Sequence, residues 1–333
     1  MRLTEHAPGG GCSCKVSAGD LERWLGLAYG DLAPPLLPPG AELLCGLDSG
    51  DDATVVRIEG GTAIVTTTDF FPPVVDSAFD WGRIAATNAI SDVYAMGGEP
   101  LSALNLLAWP SSLPPELAVE ALRGARSVAD GEGFVLAGGH SIVAEVPLFG
   151  LAVTGTADPD RLLRNDAARA GLPITLTKPL GLGILNNWHK ATGAPIDEAI
   201  AVMTRSNRGA SRAALAAGIE AATDVTGFGL LGHLYKMARA SGVTAVIDAA
   251  AIPCLAGARE RLDKGYVPGG TRRNLDWVRP HLEVAARLEE ADLLLLADAQ
   301  TSGGLLVAGE IAGSPVIGEF TEPGPGPAIL VVR

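Results

Sequence analysis

Lysine is scarce in this chain, cysteine scarcer still, and no apolar run is long. Lysine occurs five times in 333 residues, and 25 basic side chains face 38 acidic ones, a formal net charge of −13. Neutralising nucleic-acid phosphates requires a basic face, so this balance excludes a nucleic-acid partner. Four cysteines are too few for the disulfide framework of a secreted domain. No segment approaches the roughly 20 apolar residues that span a bilayer. The first residues, with Arg2, Glu5 and His6 ahead of a glycine run, lack the apolar centre of a signal peptide. A soluble cytoplasmic protein without a membrane partner is expected. The sequence also has no G-x-x-x-x-G-K-[ST], H-E-x-x-H or G-x-S-x-G, so any ATP site is not a P-loop.

The composition is that of a globular chain. Apolar residues make up 47%, and the length predicts two domains at roughly 150 residues each. Its 42 glycines and 23 prolines stay below the roughly 25–30% share that marks disorder. Residues 1–20 are glycine-rich and polar and are expected to be mobile. A β-rich stretch over 62–67 should form a strand that stops at Asp69. Asp80 is a candidate N-cap for a helix running to about Met96, on which Ile84, Asn88 and Asp92 fall at i, i+4 and i+8. That stripe passes from core to polar. A second helix is expected over 115–130, a strand ending at Ala137, a tight loop at Gly138, Gly139, His140 and Ser141, and a strand over 146–154. The charged, turn-rich stretch 156–172 reads as the domain boundary. Beyond it the same α/β alternation returns, including a short strand ending at Asp224 and the turn 301–304.

Four features could carry chemistry. Cys12 and Cys14 lie among glycines with Lys15 beside them, and a nearby ammonium favours a thiolate; a half zinc site is the weaker alternative, since Cys45 and Cys254 have no paired ligand at zinc spacing. Asp51, Asp52, Asp69, Asp92 and Asp224 stand at element ends, where carboxylates can hold Mg²⁺ against phosphates. Taken singly, each is more readily a cap or turn residue. The 138–141 loop could offer backbone amides to a phosphate. Finally, Gly227, Gly229 and Gly232 fit G-x-G-x-x-G with Asp248 following the next strand, which keeps a nicotinamide- or flavin-dependent enzyme open as a rival. Asp224 beside that fingerprint would repel a pyrophosphate.

Together the motifs resemble a family. GGGCSCK at 9–15, DDATV at 51–55, TTDFFPPVVD at 67–76, FDWGRIAATNAISDVYAMGG at 79–98, LAGGHSI at 136–142, TKPLG at 177–181, TDVTGFGLLGHL at 223–234, VPGGT at 267–271 and QTSGG at 300–304 run in the order seen in selenophosphate synthetases. These belong to the aminoimidazole ribonucleotide synthetase-like superfamily. The resemblance implies an α/β protein with mixed sheets: a catalytic N-terminal segment (1–20), an ATP- and Mg-binding domain (21–157) and a C-terminal domain (158–333). It also implies a homodimer with a central β-barrel. The implied reaction takes selenide, ATP and water to selenophosphate, AMP and inorganic phosphate with Mg²⁺ and a possible monovalent cation, and hands selenium to downstream transfer enzymes. Carried over by motif, Cys12 and Lys15 are catalytic. Asp52, Asp92 and Asp224 bind metal, and Lys15, Ser49, Gly50, Asp51, Asp69, Asp92, Gly139, His140 and Ser141 bind ATP. Cys14 is auxiliary. The chain departs from the family pattern at Ser49-Gly50, at Val143, where Asp is usual, and at Ala299, where Pro is usual. A ribonucleotide- or thiamine-directed member of the superfamily, or a non-catalytic carrier, are the alternatives.

Overall fold

The computed structural model describes residues 1–7, 9, 14–30, 36–46, 51–324 and 329–333. Cys12, Ser49 and Gly50 therefore lie outside the described residues. Helix α1 (Ala18–Tyr29) precedes a six-stranded sheet of β1 (Glu42–Cys45), β2 (Thr54–Arg57), β3 (Ala63–Phe71), β4 (Glu99–Trp109), β5 (Val135–Val143) and β6 (Leu148–Ala157), in the order β1-β2-β3-β6-β4-β5. All its pairs are antiparallel except β4 with β5. Helices α2 (Ala78–Ala95) and α3 (Pro115–Glu132) lie between β3 and β4 and between β4 and β5. The second sheet comprises β7 (Pro173–Leu176), β8 (Ala222–Asp224), β9 (Thr244–Ile247), β10 (Leu282–Val284), β11 (Leu305–Ala308), β12 (Val316–Thr321) and β13 (Leu330–Val332), ordered β10-β13-β9-β12-β7-β11-β8. Around it run α4 (Leu182–Thr192), α5 (Asp197–Met203), α6 (Arg208–Ala216), α7 (Gly229–Ser241), α8 (Ala258–Asp263), α9 (Gly269–Val278) and α10 (Glu290–Leu296). This is the mixed-sheet α/β architecture expected.

Period-two alternation on β3 sends Val65, Thr67, Asp69 and Phe71 toward α2 and leaves Thr66, Thr68 and Phe70 on the open face. Helix α2 is buried on nearly every side, with Ile84, Ala85, Ala89, Ile90 and Val93 inaccessible. Its partner α3 comes close enough for backbones to touch. A Cβ at Gly82 would sit 1.9 Å from the Ala121 carbonyl, and one at Gly124 would sit 2.0 Å from that of Phe79. The helix carrying the polar stripe is thereby locked in place.

Several local expectations change. Strand β3 continues through Asp69 to Phe71, because nine consecutive pairs with β6 outweigh the Pro-Pro break that follows. Ser77, not Asp80, caps α2: its hydroxyl accepts the Asp80 N–H, and the Asp80 carboxylate pairs with Arg83 at 3.0 Å. Residues 138–141 are strand, not loop. Pairing in parallel with β4 across a bulge absorbs the positive φ of Gly138 and Gly139. The first residues are docked rather than loose. Leu3 is buried, Arg2 binds Asp76 and the carbonyls of His189 and Lys190, and Lys190 Nζ donates to the Ala7 carbonyl at 2.5 Å. The dinucleotide alternative fails on topology, since three strands stand between β8 and β9 where that motif needs adjacent parallel strands.

Candidate active site

The inner face of β3, one stripe of α2 and the end of β8 converge. Asp69 on β3 takes Lys15 Nζ at 3.2 Å and the Asn88 amide at 2.6 Å. Asp92 accepts from Thr67 Oγ1 at 2.5 Å. Asp224, from the edge strand of the second sheet, accepts from Ser91 Oγ at 2.6 Å, and Asn207 donates to the same hydroxyl at 2.8 Å. Asp52 accepts from Thr223 Oγ1 at 2.9 Å. Asn88, Ser91 and Asp92 are spaced i, i+3 and i+4, so a single helix face supplies one carboxylate and binds two others, Asp69 and Asp224, drawn from two other segments.

Burial makes this cluster electrostatically expensive. Desolvation, then the charge of Asp224, pushes Asp52 and Asp92 well above the carboxylate range. Desolvation lifts Asp224 itself to about 6, against the pull of its Ser91 hydrogen bond and of Lys15. Buried Lys178 donates to the Ser302 carbonyl at 2.8 Å and is pushed down to about 7 by desolvation, with Arg205 adding and Asp224 opposing. Lys236, 5.7 Å above the Phe228 ring, is also held down by desolvation while Asp52 pulls it up. His233 is kept neutral by burial and accepts the Thr226 N–H at 3.2 Å.

The donor set suits a hard cation. Asp52 Oδ2 is buried without a hydrogen-bond partner, and the three carboxylates repel one another. Among the described residues no three His, Cys, Asp or Glu side chains form a ready-made cage. Mg²⁺ needs none, because it keeps several waters and binds through one or two carboxylates plus phosphate oxygens.

Lys15, Asp52, Asp69, Asp92 and Asp224 are thus brought together. Asp51 turns one oxygen to the Asn165 N–H at 2.6 Å. Gly139, His140 and Ser141 are placed elsewhere, exposed on the outermost strand β5. Gly139 lies against β4 so closely that a Cβ would meet the Asn105 carbonyl at 2.1 Å. Sequence reasoning missed Thr67, Ser91, Asn207, Thr223 and Lys178. Ser91 was the one with a signal, a third polar residue on a buried apolar helix.

The family models described as AIR synthase related protein, N-terminal domain, and AIR synthase related protein, C-terminal domain, match residues 50–157 and 169–308. The chain is 51% identical over 317 residues to the selenide, water dikinase of Bordetella bronchiseptica, covering 94% of this chain and 90% of that one. The chain belongs to the selenide, water dikinase family. Further members from Pseudomonas aeruginosa and Escherichia coli K12 are 49% and 46% identical over 92% of this chain, and 88% and 87% of theirs. Two solved structures share the fold. They are thiamine monophosphate kinase from Aquifex aeolicus (TM-score 0.66, 16% identity, covering 100% of this chain and 98% of that one) and hydrogenase maturation protein HypE in complex with ATP (TM-score 0.58, 18%, covering 97% and 90%). Against the family pattern, the alanine at 299 has a local reason. Its N–H donates to Thr271 Oγ1 at 3.2 Å, a bond proline cannot make. No described helix is long and apolar enough to cross a membrane.

Proposed function

We propose that this chain makes selenophosphate from selenide, ATP and water, releasing AMP and inorganic phosphate. The observation that carries the reading is the meeting of Lys15 with Asp52, Asp69, Asp92 and Asp224 in a chain about half identical to selenide, water dikinases. Asp52, Asp92 and Asp224 are the residues that would hold Mg²⁺, which when bound supplies neutralising charge to the polyphosphate. The hydroxyls of Thr67, Ser91 and Thr223 fix the rotamers of those carboxylates. Lys15 exchanges Asp69 for the γ-phosphoryl oxygens, and Cys12 guides the selenide. A selenium–phosphorus bond forms as the bond to ADP breaks; water then attacks the β-phosphorus of ADP, giving phosphate and AMP. The working units are 1–20, 21–157 and 158–333, in the cytoplasm, with selenium-transfer enzymes downstream. A monovalent cation beside the phosphates would add to the same neutralisation. Anaerobic incubation with ATP, Mg²⁺ and selenide, followed by phosphorus NMR, should show selenophosphate and equimolar AMP. ADP without AMP would overturn the reading in favour of an ordinary kinase.

The proposed enzyme is a homodimer. On the uncovered face of the first sheet the register aligns Phe70, Gly150, Leu106 and His140 in one row, with Leu104 in the next. Phe70 and Leu104 are about half exposed, an apolar surface of the kind that marks an interface. Asp69 is on the opposite face, so His140 would serve the partner subunit's site rather than its own. Phe70→Glu should convert a dimer to a monomer by light scattering and cut turnover at least tenfold. A wild-type monomer would overturn the dimer.

A further inference from the structure

The turn at 301–304 leads into β11 of the second sheet, yet it is tied to the first half at Ser302 directly and at Gly303 through Asn207. The Ser302 N–H donates to Asn88 Oδ1 at 2.7 Å, and the Gly303 carbonyl accepts from Asn207, which also holds Ser91. The turn has no room to shift. A Cβ at Gly303 would meet the Val225 carbonyl at 1.9 Å and one at Gly304 the Lys178 nitrogen at 2.4 Å. Ser302, at φ 52, is the sole non-glycine residue with positive φ among those described. That conformation is disfavoured for a residue with a Cβ and must be held from outside. Lys178 holds it. The residue is 2% exposed, and its Nζ donates to the Ser302 carbonyl at 2.8 Å.

Followed outward, the contacts form a chain. Lys178 fixes the Ser302 peptide, whose N–H fixes the Asn88 amide. The Asn88 amide binds Asp69, and Asp69 holds Lys15. We infer that Lys178 is a positioning residue for Lys15, acting across the two halves through Ser302, Asn88 and Asp69. A need for packing alone would be met by an apolar side chain, without the desolvation cost of a buried ammonium. Without the lysine, Ser302 relaxes toward negative φ, its N–H leaves Asn88, and the Asn88 amide loses a bond that aims it at Asp69.

The chain is tested by trace acylation of the full-length protein, with Lys15 labelling read by mass spectrometry against Lys264 as internal standard. Lys178→Met should raise Lys15 labelling about fivefold, as should Asp69→Asn, and the double variant should label no faster than the faster single one. Unchanged Lys15 labelling in folded Lys178→Met, or effects that multiply, would overturn the inference. Should Lys178→Met fail to fold, Asn88→Ala breaks the next link and carries the same expectation. Turnover supplies a second readout, resting on the proposed function: Lys178→Met should lower kcat about tenfold with KM for ATP changed less than twofold, again not multiplying with Asp69→Asn. Wild-type protein inactive with selenide would sink the functional reading, while the labelling still decides the chain.

Discussion

Lys15→Ala should lower selenide-dependent AMP formation by about 10²–10³-fold, the usual loss when one preorganised donor to a developing phosphoryl charge is removed. The side chain is singled out by position. It is 38% exposed, pairs with Asp69 at 3.2 Å, and its charge lowers Asp92 and Asp224. Removing it takes away the proposed phosphate contact and leaves the buried carboxylates more strongly repelled. Lys15→Arg should recover little, since a planar guanidinium cannot reproduce a compact ammonium moving between carboxylate and phosphate. The rate is read by anaerobic phosphorus NMR, with circular dichroism as the control for folding. Activity within threefold of wild type would remove Lys15 from the chemistry.

Asp224→Asn should separate stability from function. The carboxyl titrates at about 6 in the folded protein against an ordinary 3.8. Between these values the folded state binds more protons than the unfolded one, so metal-free stability falls as pH rises from about 4 to 6 and stays low above that. The neutral amide removes that fall and also the leading repulsion on Asp52 and Asp92. Without metal at pH 8 the variant should melt a few degrees above wild type, and the difference should vanish near pH 4. Added Mg²⁺-ATP should raise the wild-type melting temperature and leave the variant's unchanged, because the charge proposed to hold the metal is gone. A variant less stable than wild type at pH 8 would show that the carboxylate is already compensated.

Much of this was legible beforehand where a residue type contradicts its surroundings. Asp69 in a β-rich stretch, Asp92 on an apolar helix and Asp224 at a strand end each announce themselves, because a charge in such a place must be answered by a partner. The stripe Ile84, Asn88, Asp92 likewise needed only the helical period. Residues 138–141 misled because two glycines look like a turn until a parallel neighbour is supplied, and that neighbour is 34 residues distant, as Asn105 is from Gly139. Arg2 and Leu3 looked loose because Asp76 and the end of α4 are far along the chain. Lys178 and Ser302 gave no local sign, since a lysine before a proline and a serine before glycines are ordinary. Their roles exist only across the joint between the two sheets.

That joint restricts how such a protein can change. Asp52, Asp69 and Asp92 come from the first half, whereas Asp224, Asn207 and the Ser302 peptide come from the second, and four bonds cross between the halves: Thr223 to Asp52, Ser91 to Asp224, Asn207 to Ser91 and the Ser302 N–H to Asn88. Neither half holds the whole of the proposed ligand set, so neither would work if transplanted alone into another gene. Exchange by recombination between relatives would have to carry both halves, or carry matched changes on each side. A new substrate would therefore be reached most simply by altering segments that approach the joint from outside, as the one bearing Lys15 does, with the joint kept whole.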